Sequence, residues 1–356
     1  MSVDSSTDVD TIWYTRCPVP TASGIAIDTG ILSGTFAPEH VAVTSIRASD
    51  DPAVRESHFD HSQERSFREG GNIPPLHARS LGKDTRVVGL TWVEEFQSLL
   101  TLPESGIAGP EDLRGRRILV PGHGGERIDF ERAMALRGLE ATLDVAGLTL
   151  DDVEIVDVRT QVGNLVERQG SYEHDHYRFE LAALHAGDGE AFYAKGAPAL
   201  ETIARRELLQ PVFDLATSPD PRHRVNNGTP RPITVSAELL ETRPDLVQRY
   251  LAALIDAALW AREHEDRAFE ILAAETGASV ASARTAYGAS APQRLLPSWD
   301  PRLVELLGFQ KDFLLRHGFL AGDVDLDAWL VKEPLLAAFA DAGIDPTTSP
   351  LNGASS

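Results

Sequence analysis

Apolar and polar positions along this chain follow two periods in alternation. Residues 11–16 (TIWYTR) predict a strand that runs into the turn Cys17-Pro-Val-Pro20. In residues 40–46, Val41, Val43 and Ser45 alternate against Ala42, Thr44 and Ile46, which predicts a second strand. Short apolar runs predict further strands at 86–91, 117–120, 153–158, 191–194 and 230–235. A helical period takes over late in the chain. Pro244 suits the first helical position, and Leu246, Val247, Tyr250, Leu251, Leu254, Ile255, Ala258 and Leu259 form one stripe over four turns. Helices are also predicted from about Glu126, over 179–185, and through most of the chain to about Ala342. Strands spaced by helices of this length indicate βαβ units, an α/β fold and mostly parallel or mixed sheets.

At 356 residues the chain is too long for one hydrophobic core, so two lobes are expected. Residues 1–10 and 346–356 read as tails. Lobe 1 is expected from 11–100 plus 225–345, and lobe 2 from 101–224. No low-complexity linker separates them, which predicts short crossing strands. The 33 basic and 54 acidic side chains leave a net charge of −21. That balance argues against nucleic acid and anionic membranes as partners. One cysteine, Cys17, excludes an internal disulfide and a thiolate-rich zinc site. The opening MSVDSSTDVD has neither the basic nor the apolar region of a secretory leader, so a cytoplasmic protein is expected; a monomer is the default expectation, with an oligomer left open.

Candidate chemistry concentrates near the start. Cys17 falls between a predicted strand and a predicted helix, where ligands bind in parallel α/β sheets and a helix dipole favours thiolate. The plainer reading is an inert buried cysteine. Residues 57–75 carry His58, Phe59, His61, Arg65 and Arg68 ahead of a Gly70-Gly71 turn. Arg68 beside that turn suits an oxyanion clamp, whereas a solvated amphipathic helix with a glycine C-cap explains the same pattern. His123 lies in a Gly-rich strand-to-helix turn with no nucleotide-binding motif. Glu173-His-Asp-His176 suits an exposed loop better than a metal site. Lys195, one of four lysines, follows a predicted strand and reads as surface charge or as a group facing a cleft.

The run Arg16-Cys-Pro-Val-Pro20, then His58-Phe59, then Arg68-x-Gly-Gly-x-Ile-Pro-Pro-Leu76 resembles the 2'-hydroxybiphenyl-2-sulfinate desulfinase family of dibenzothiophene desulfurisation. Arg243-Pro-Asp-Leu-Val-Gln-Arg, Ala258-Leu-Trp-Ala-Arg-Glu-His264 and Gln293-Arg-Leu-Leu-Pro297 extend the likeness. The resemblance implies a two-lobed fold like the periplasmic (type II) binding proteins for sulfonates and nitrate, with a helical C-terminal region. It also implies a catalytic Cys17, a supporting His58, a sulfinate-binding Arg68 with the Gly71 N–H as second donor, and no metal or organic cofactor. Phe59, His123, Tyr193 and Lys195 would line the substrate. The chain departs from the family pattern in being shorter between Val120 and Val153, without an apolar Trp-bearing stretch. It also carries Lys195 where the family has an aromatic residue.

The expected function is therefore cysteine-dependent C–S bond cleavage of an organic, aryl-type sulfinate more polar than hydroxybiphenyl sulfinate. Two rivals stand beside it. One is anion binding without turnover, and the other is a different cysteine-dependent lyase or hydrolase.

Overall fold

The computed structural model of the protein describes residues 11–124, 128–160, 176–205 and 208–351. Strands β1 (Thr11–Thr15), β2 (Ala42–Ser45), β3 (Ser66–Glu69), β4 (Thr85–Thr91), β5 (Gln97–Thr101), β6 (Arg117–Gly122), β7 (Glu154–Arg159), β8 (Ala191–Lys195), β9 (Gln210–Pro211) and β10 (Arg231–Ser236) form two five-stranded sheets. The first runs β2-β1-β3-β10-β4 and the second β7-β6-β8-β5-β9. β1 is parallel to β2 and β3, while β10 is antiparallel to β3 and β4. In the second sheet β6 is parallel to β7 and β8, and β5 is antiparallel to β8 and β9. Both sheets are therefore mixed.

This topology gathers three pieces of chain at one edge. β1 and β3 end there, and the antiparallel β10 begins there. The chain passes between the sheets twice, after β4 and before β10, and β5 already belongs to the second sheet. The expected division at residue 100 thus falls inside a strand, and Gln97 to Leu100 lie with the second sheet.

Residues 57–75 differ most from the helical expectation. The helix Pro52–Asp60 ends at His61 in a left-handed conformation, β3 follows, and the helix Ile73–Ser80 begins after Asn72. Phe67, Arg68 and Glu69 are buried between β1 and β10, so their charges misread as solvated. The ring of Tyr250, on the helix Pro244–Glu263, stacks on Phe67 at 3.9 Å and supports β3 from one face. The helix expected from Glu126 is described as Phe130–Val145, with Asp129 accepting the Arg132 N–H at 3.0 Å as its N-cap.

Buried amides clasp the two lobes. Asn72 Nδ2 donates to the carbonyls of Asn226 (2.7 Å) and Pro230 (3.0 Å), and the Ile73 N–H donates to Asn227 Oδ1 at 2.9 Å. Asn226 Nδ2 donates in turn to the Met134 carbonyl and to the Tyr193 hydroxyl, at 3.1 and 2.9 Å. The Tyr193 hydroxyl donates to Gln97 Oε1 at 2.8 Å. The links made by Asn72 Nδ2 and by the Tyr193 hydroxyl are buried, so each would leave a costly unpaired polar group if broken.

Gly138 lets the helix Phe130–Val145 lie directly on Tyr193, because a Cβ there would stand 2.0 Å from the ring. Gly138→Ala is expected to destabilise the protein by about 1–3 kcal/mol through overpacking, read as a lower urea midpoint. An unchanged midpoint would show that the Tyr193 pillar yields freely.

Candidate active site

Cys17 lies two residues beyond β1, in the loop that leads to the helix Ala22–Asp28. The loop is fixed at both ends. The Arg16 guanidinium pairs with the buried carboxylate of Glu275, and the Thr21 side chain caps the helix by accepting the Gly24 N–H at 3.0 Å. The Val19 N–H closes a tight turn on the Cys17 carbonyl at 2.8 Å.

The helix N-terminus does not serve the thiol as expected. Glu69 Oε2 accepts the Ser23 N–H at 2.8 Å, and Oε1 accepts the Ala22 N–H and the Thr91 hydroxyl at 3.3 Å each. A carboxylate already holds the positive end of the dipole. Arg68 is a cation within electrostatic reach of Cys17. It is paired in register with Thr15 on β1 and Thr234 on β10, so it stands mid-sheet at the edge where β1 ends.

Arg68 is only 5% exposed and has no carboxylate partner. Its Nη1 donates to the Gly71 carbonyl at 2.7 Å, and its Nε meets no protein acceptor. Burial pulls the guanidinium below its ordinary pKa, opposed by the nearby charge of Cys17. Gly70 is what allows the two groups to meet: a Cβ there would lie 2.4 Å from Cys17 Sγ and 3.5 Å from Arg68 Nη2. Gly71 is equally constrained, since a Cβ would strike the Asn227 carboxamide at 2.4 Å.

His58 lies in the last turn of the helix Pro52–Asp60, buried, with the Phe59 ring edge-on at 4.6 Å. Its Nδ1 meets no protein partner. Burial first, then the charges of Arg47, Arg68 and His61, hold the imidazole well below its usual pKa, so it is neutral at pH 7. His61 is lowered in the same way by burial, Arg68 and Lys83. The structure thus brings Cys17, His58 and His61 within electrostatic reach of Arg68, with Gly70 beside both the thiol and the guanidinium. What it offers is a thiol, a neutral imidazole and a buried cation short of acceptors.

The other expected residues lie elsewhere or are already engaged. His123, just past β6 in the second lobe, takes up Asp129 through its N–H at 2.9 Å and its ring Nε2 at 3.3 Å. Tyr193 spends its hydroxyl on Gln97 and Asn226, which makes it a pillar of the clasp. Lys195 was expected to need an anion from the substrate or to lie on the surface. Instead its Nζ pairs with the buried Glu95 carboxylate at 2.6 Å, and that carboxylate offsets its desolvation. Of Glu173-His-Asp-His176, only His176 lies within the described residues. Among those residues no three His, Cys, Asp or Glu side chains are grouped to hold a metal ion. Nor is any described helix long and apolar enough to cross a membrane.

Two outcomes follow from this geometry. Gly70→Ala should displace the thiol and abolish any Cys17-dependent reaction, with a fold still visible by circular dichroism. An active Gly70→Ala protein would refute the packing. A depressed histidine contributes stability that is present above its unfolded pKa near 6.5 and is lost as pH falls toward the folded value. His58→Gln should therefore flatten the loss of stability between pH 6.5 and 5 by up to about one proton, about 1.4 kcal/mol per pH unit. Parallel pH–stability curves for the two proteins would contradict a neutral buried His58.

Comparison with known proteins meets this geometry from outside. A family profile described as NMT1/THI5 like matches residues 73–175. The 2'-hydroxybiphenyl-2-sulfinate desulfinase of Rhodococcus erythropolis is 31% identical over 354 residues, 91% of this chain and 92% of the relative. The crystal structure of the desulfurization enzyme DszB superposes with a TM-score of 0.74 at 30% identity, covering 94% of this chain and 99% of that one. A cysteine-to-serine mutant of DszB in complex with biphenyl-2-sulfinic acid matches equally well, at 29% identity. The periplasmic aliphatic sulphonate binding protein SsuA of Escherichia coli shares the fold at 15% identity, with a TM-score of 0.63 over 90% of this chain and 97% of its own. The architecture is that of the periplasmic binding proteins, and by identity and coverage the chain belongs to the 2'-hydroxybiphenyl-2-sulfinate desulfinase family.

Proposed function

We propose that this protein is a cysteine-dependent desulfinase that replaces the sulfinate group of an organic sulfinate by hydrogen and releases sulfite. The observation that carries the reading is the pairing of the lone thiol with a buried guanidinium that lacks a protein anion. Such a cation asks for an oxyanion, and a planar fork suits the oxygens of a sulfinate. With the sulfinate on Arg68 and the Gly71 N–H, the carbon–sulfur bond lies beside Cys17. The balance is R–SO2⁻ plus water giving R–H and HSO3⁻.

Two routes close that balance. In one, the Cys17 thiolate attacks sulfur, the C–S pair stays with carbon and takes a proton, and water hydrolyses the Cys–S–SO2⁻ adduct to thiol and bisulfite. In the other, the Cys17 thiol protonates carbon, SO2 leaves with Arg68 holding its oxygens, and water hydrates it to bisulfite. A neutral His58 can take up or return a proton in either route. The sulfinate complex of the cysteine-to-serine DszB mutant supports the thiol's part in turnover.

Sulfite release from a panel of aryl and alkyl sulfinates is the direct test. At least one sulfinate should release stoichiometric sulfite, and Cys17→Ser should lose about a thousandfold or more in kcat while still binding it. Binding without sulfite from any sulfinate would instead favour an anion-binding protein. Arg68→Lys should cost about a hundredfold or more in kcat/KM, about 3 kcal/mol, because a point charge does not reproduce the fork. A loss of only a few-fold would exclude a bidentate role.

A further inference from the structure

Glu69 ends β3 between Arg68 and Gly70, and it is 0% exposed. The register that pairs Arg68 with Thr234 pairs Glu69 with Ile233, so strand alternation turns Glu69 to the face opposite Arg68. Burial raises the pKa of its carboxyl, against the hydrogen bonds of Ser23 and Ala22 and the charge of Arg231. A carboxylate taken out of water is costly unless its oxygens are answered. What answers them here is the stretch of chain that carries the thiol.

Glu69 Oε2 accepts the Ser23 N–H at 2.8 Å, and Oε1 accepts the Ala22 N–H at 3.3 Å. Ala22 and Ser23 open the helix Ala22–Asp28, which begins where the Cys17 loop ends. The Ser23 hydroxyl donates to Thr21 Oγ1 at 3.2 Å, and Thr21 caps the same helix, so the end of the loop is bound to Ser23. At the start of the loop Arg16 pairs with Glu275, but the Arg16 side chain is 38% exposed and water competes for it. Glu69 makes the tether that water does not reach.

The loop therefore meets the end of β3 in two places. Beside Arg68, the bare Cα of Gly70 admits the thiol, since a Cβ there would stand 2.4 Å from Cys17 Sγ and 3.5 Å from Arg68 Nη2. On the opposite face, Glu69 holds the start of the helix. We propose that Glu69 is a positioning residue for Cys17: its two oxygens fix the far end of the loop so that the thiol stays against Gly70, beside Arg68. Glu69 touches no reacting atom and acts only through the loop. The kinetic part of the inference rests on the desulfinase reading, while the reactivity of the thiol tests it apart from that reading. Two adjacent N–H groups match the two acceptor oxygens of a carboxylate, whereas an amide would turn its own N–H against one of them.

The test takes full-length Glu69→Gln and Glu69→Asp, each checked for fold by circular dichroism and for stability by its urea midpoint. Glu69→Gln should lose about tenfold or more in kcat for sulfite release, with KM within about twofold, because Arg68 keeps its place while the thiol does not. Cys17 is 6% exposed, and a loosened loop should raise its rate of alkylation by iodoacetamide severalfold in the folded protein. Glu69→Asp keeps the charge facing Arg231 and should fall the same way, since a carboxylate one methylene shorter does not span both N–H groups. If either folded variant keeps the kcat or the alkylation rate of the unaltered protein and only its urea midpoint falls, Glu69 is a brace of the fold and the proposal is wrong. It is equally wrong if KM rises while kcat holds, or if neither variant folds. Should no sulfinate release sulfite from the unaltered protein, the desulfinase reading fails, and the alkylation rates alone decide the part played by Glu69.

Discussion

An arginine taken out of water without a carboxylate costs several kcal/mol, and this protein accepts that cost at Arg68. The side chain is fixed in the middle of a sheet by its register with Thr15 and Thr234, and its one protein acceptor is the carbonyl of Gly71. The nearby features follow from that placement. Gly70 must lack a side chain so that the thiol of Cys17 can approach, and Gly71 must lack one so that the crossing loop can close against it. Burial keeps His58 and His61 neutral beside the cation, so the imidazoles add no second fixed charge at neutral pH. A site of this kind lowers its own electrostatic energy when an anion enters, and this couples binding to the stability of the fold.

The lobes meet over a polar junction. Asn72, Asn226, Gln97 and Tyr193 form a continuous buried chain of hydrogen bonds from the first sheet to the second, and Glu95 pairs with Lys195 beside it. These groups hold the crossing segments in one geometry, which matters because the loops that carry Gly71 and Asn227 touch.

Much of the framework was legible in the chain. β1 and β10 announce themselves through β-branched and aromatic runs, and the helix Pro244–Glu263 through its apolar stripe and leading proline. β3 was not legible. Ser66, Arg68 and Glu69 give it no apolar alternation, and only its position between β1 and β10 explains their burial. Cys17 and Arg68 were visible as residues, the first because it is the only cysteine. What surrounds them was not: the helix dipole expected for the thiol is occupied by Glu69, a residue two-thirds of the way along a segment that read as a solvated helix. Lys195 stood out by its rarity, yet its partner Glu95 lies a hundred residues away and no local pattern links them.

The central claim is that one anion site is shared by Cys17 and Arg68. Because the chain has a single cysteine, alkylation by iodoacetamide reports on that site alone. Benzenesulfinate or a sulfinobenzoate should slow alkylation of the unaltered protein in a saturable way, and the same concentrations should give no protection in Arg68→Met. Alkylation at a rate indifferent to sulfinate, or protection that survives the loss of Arg68, would contradict the account.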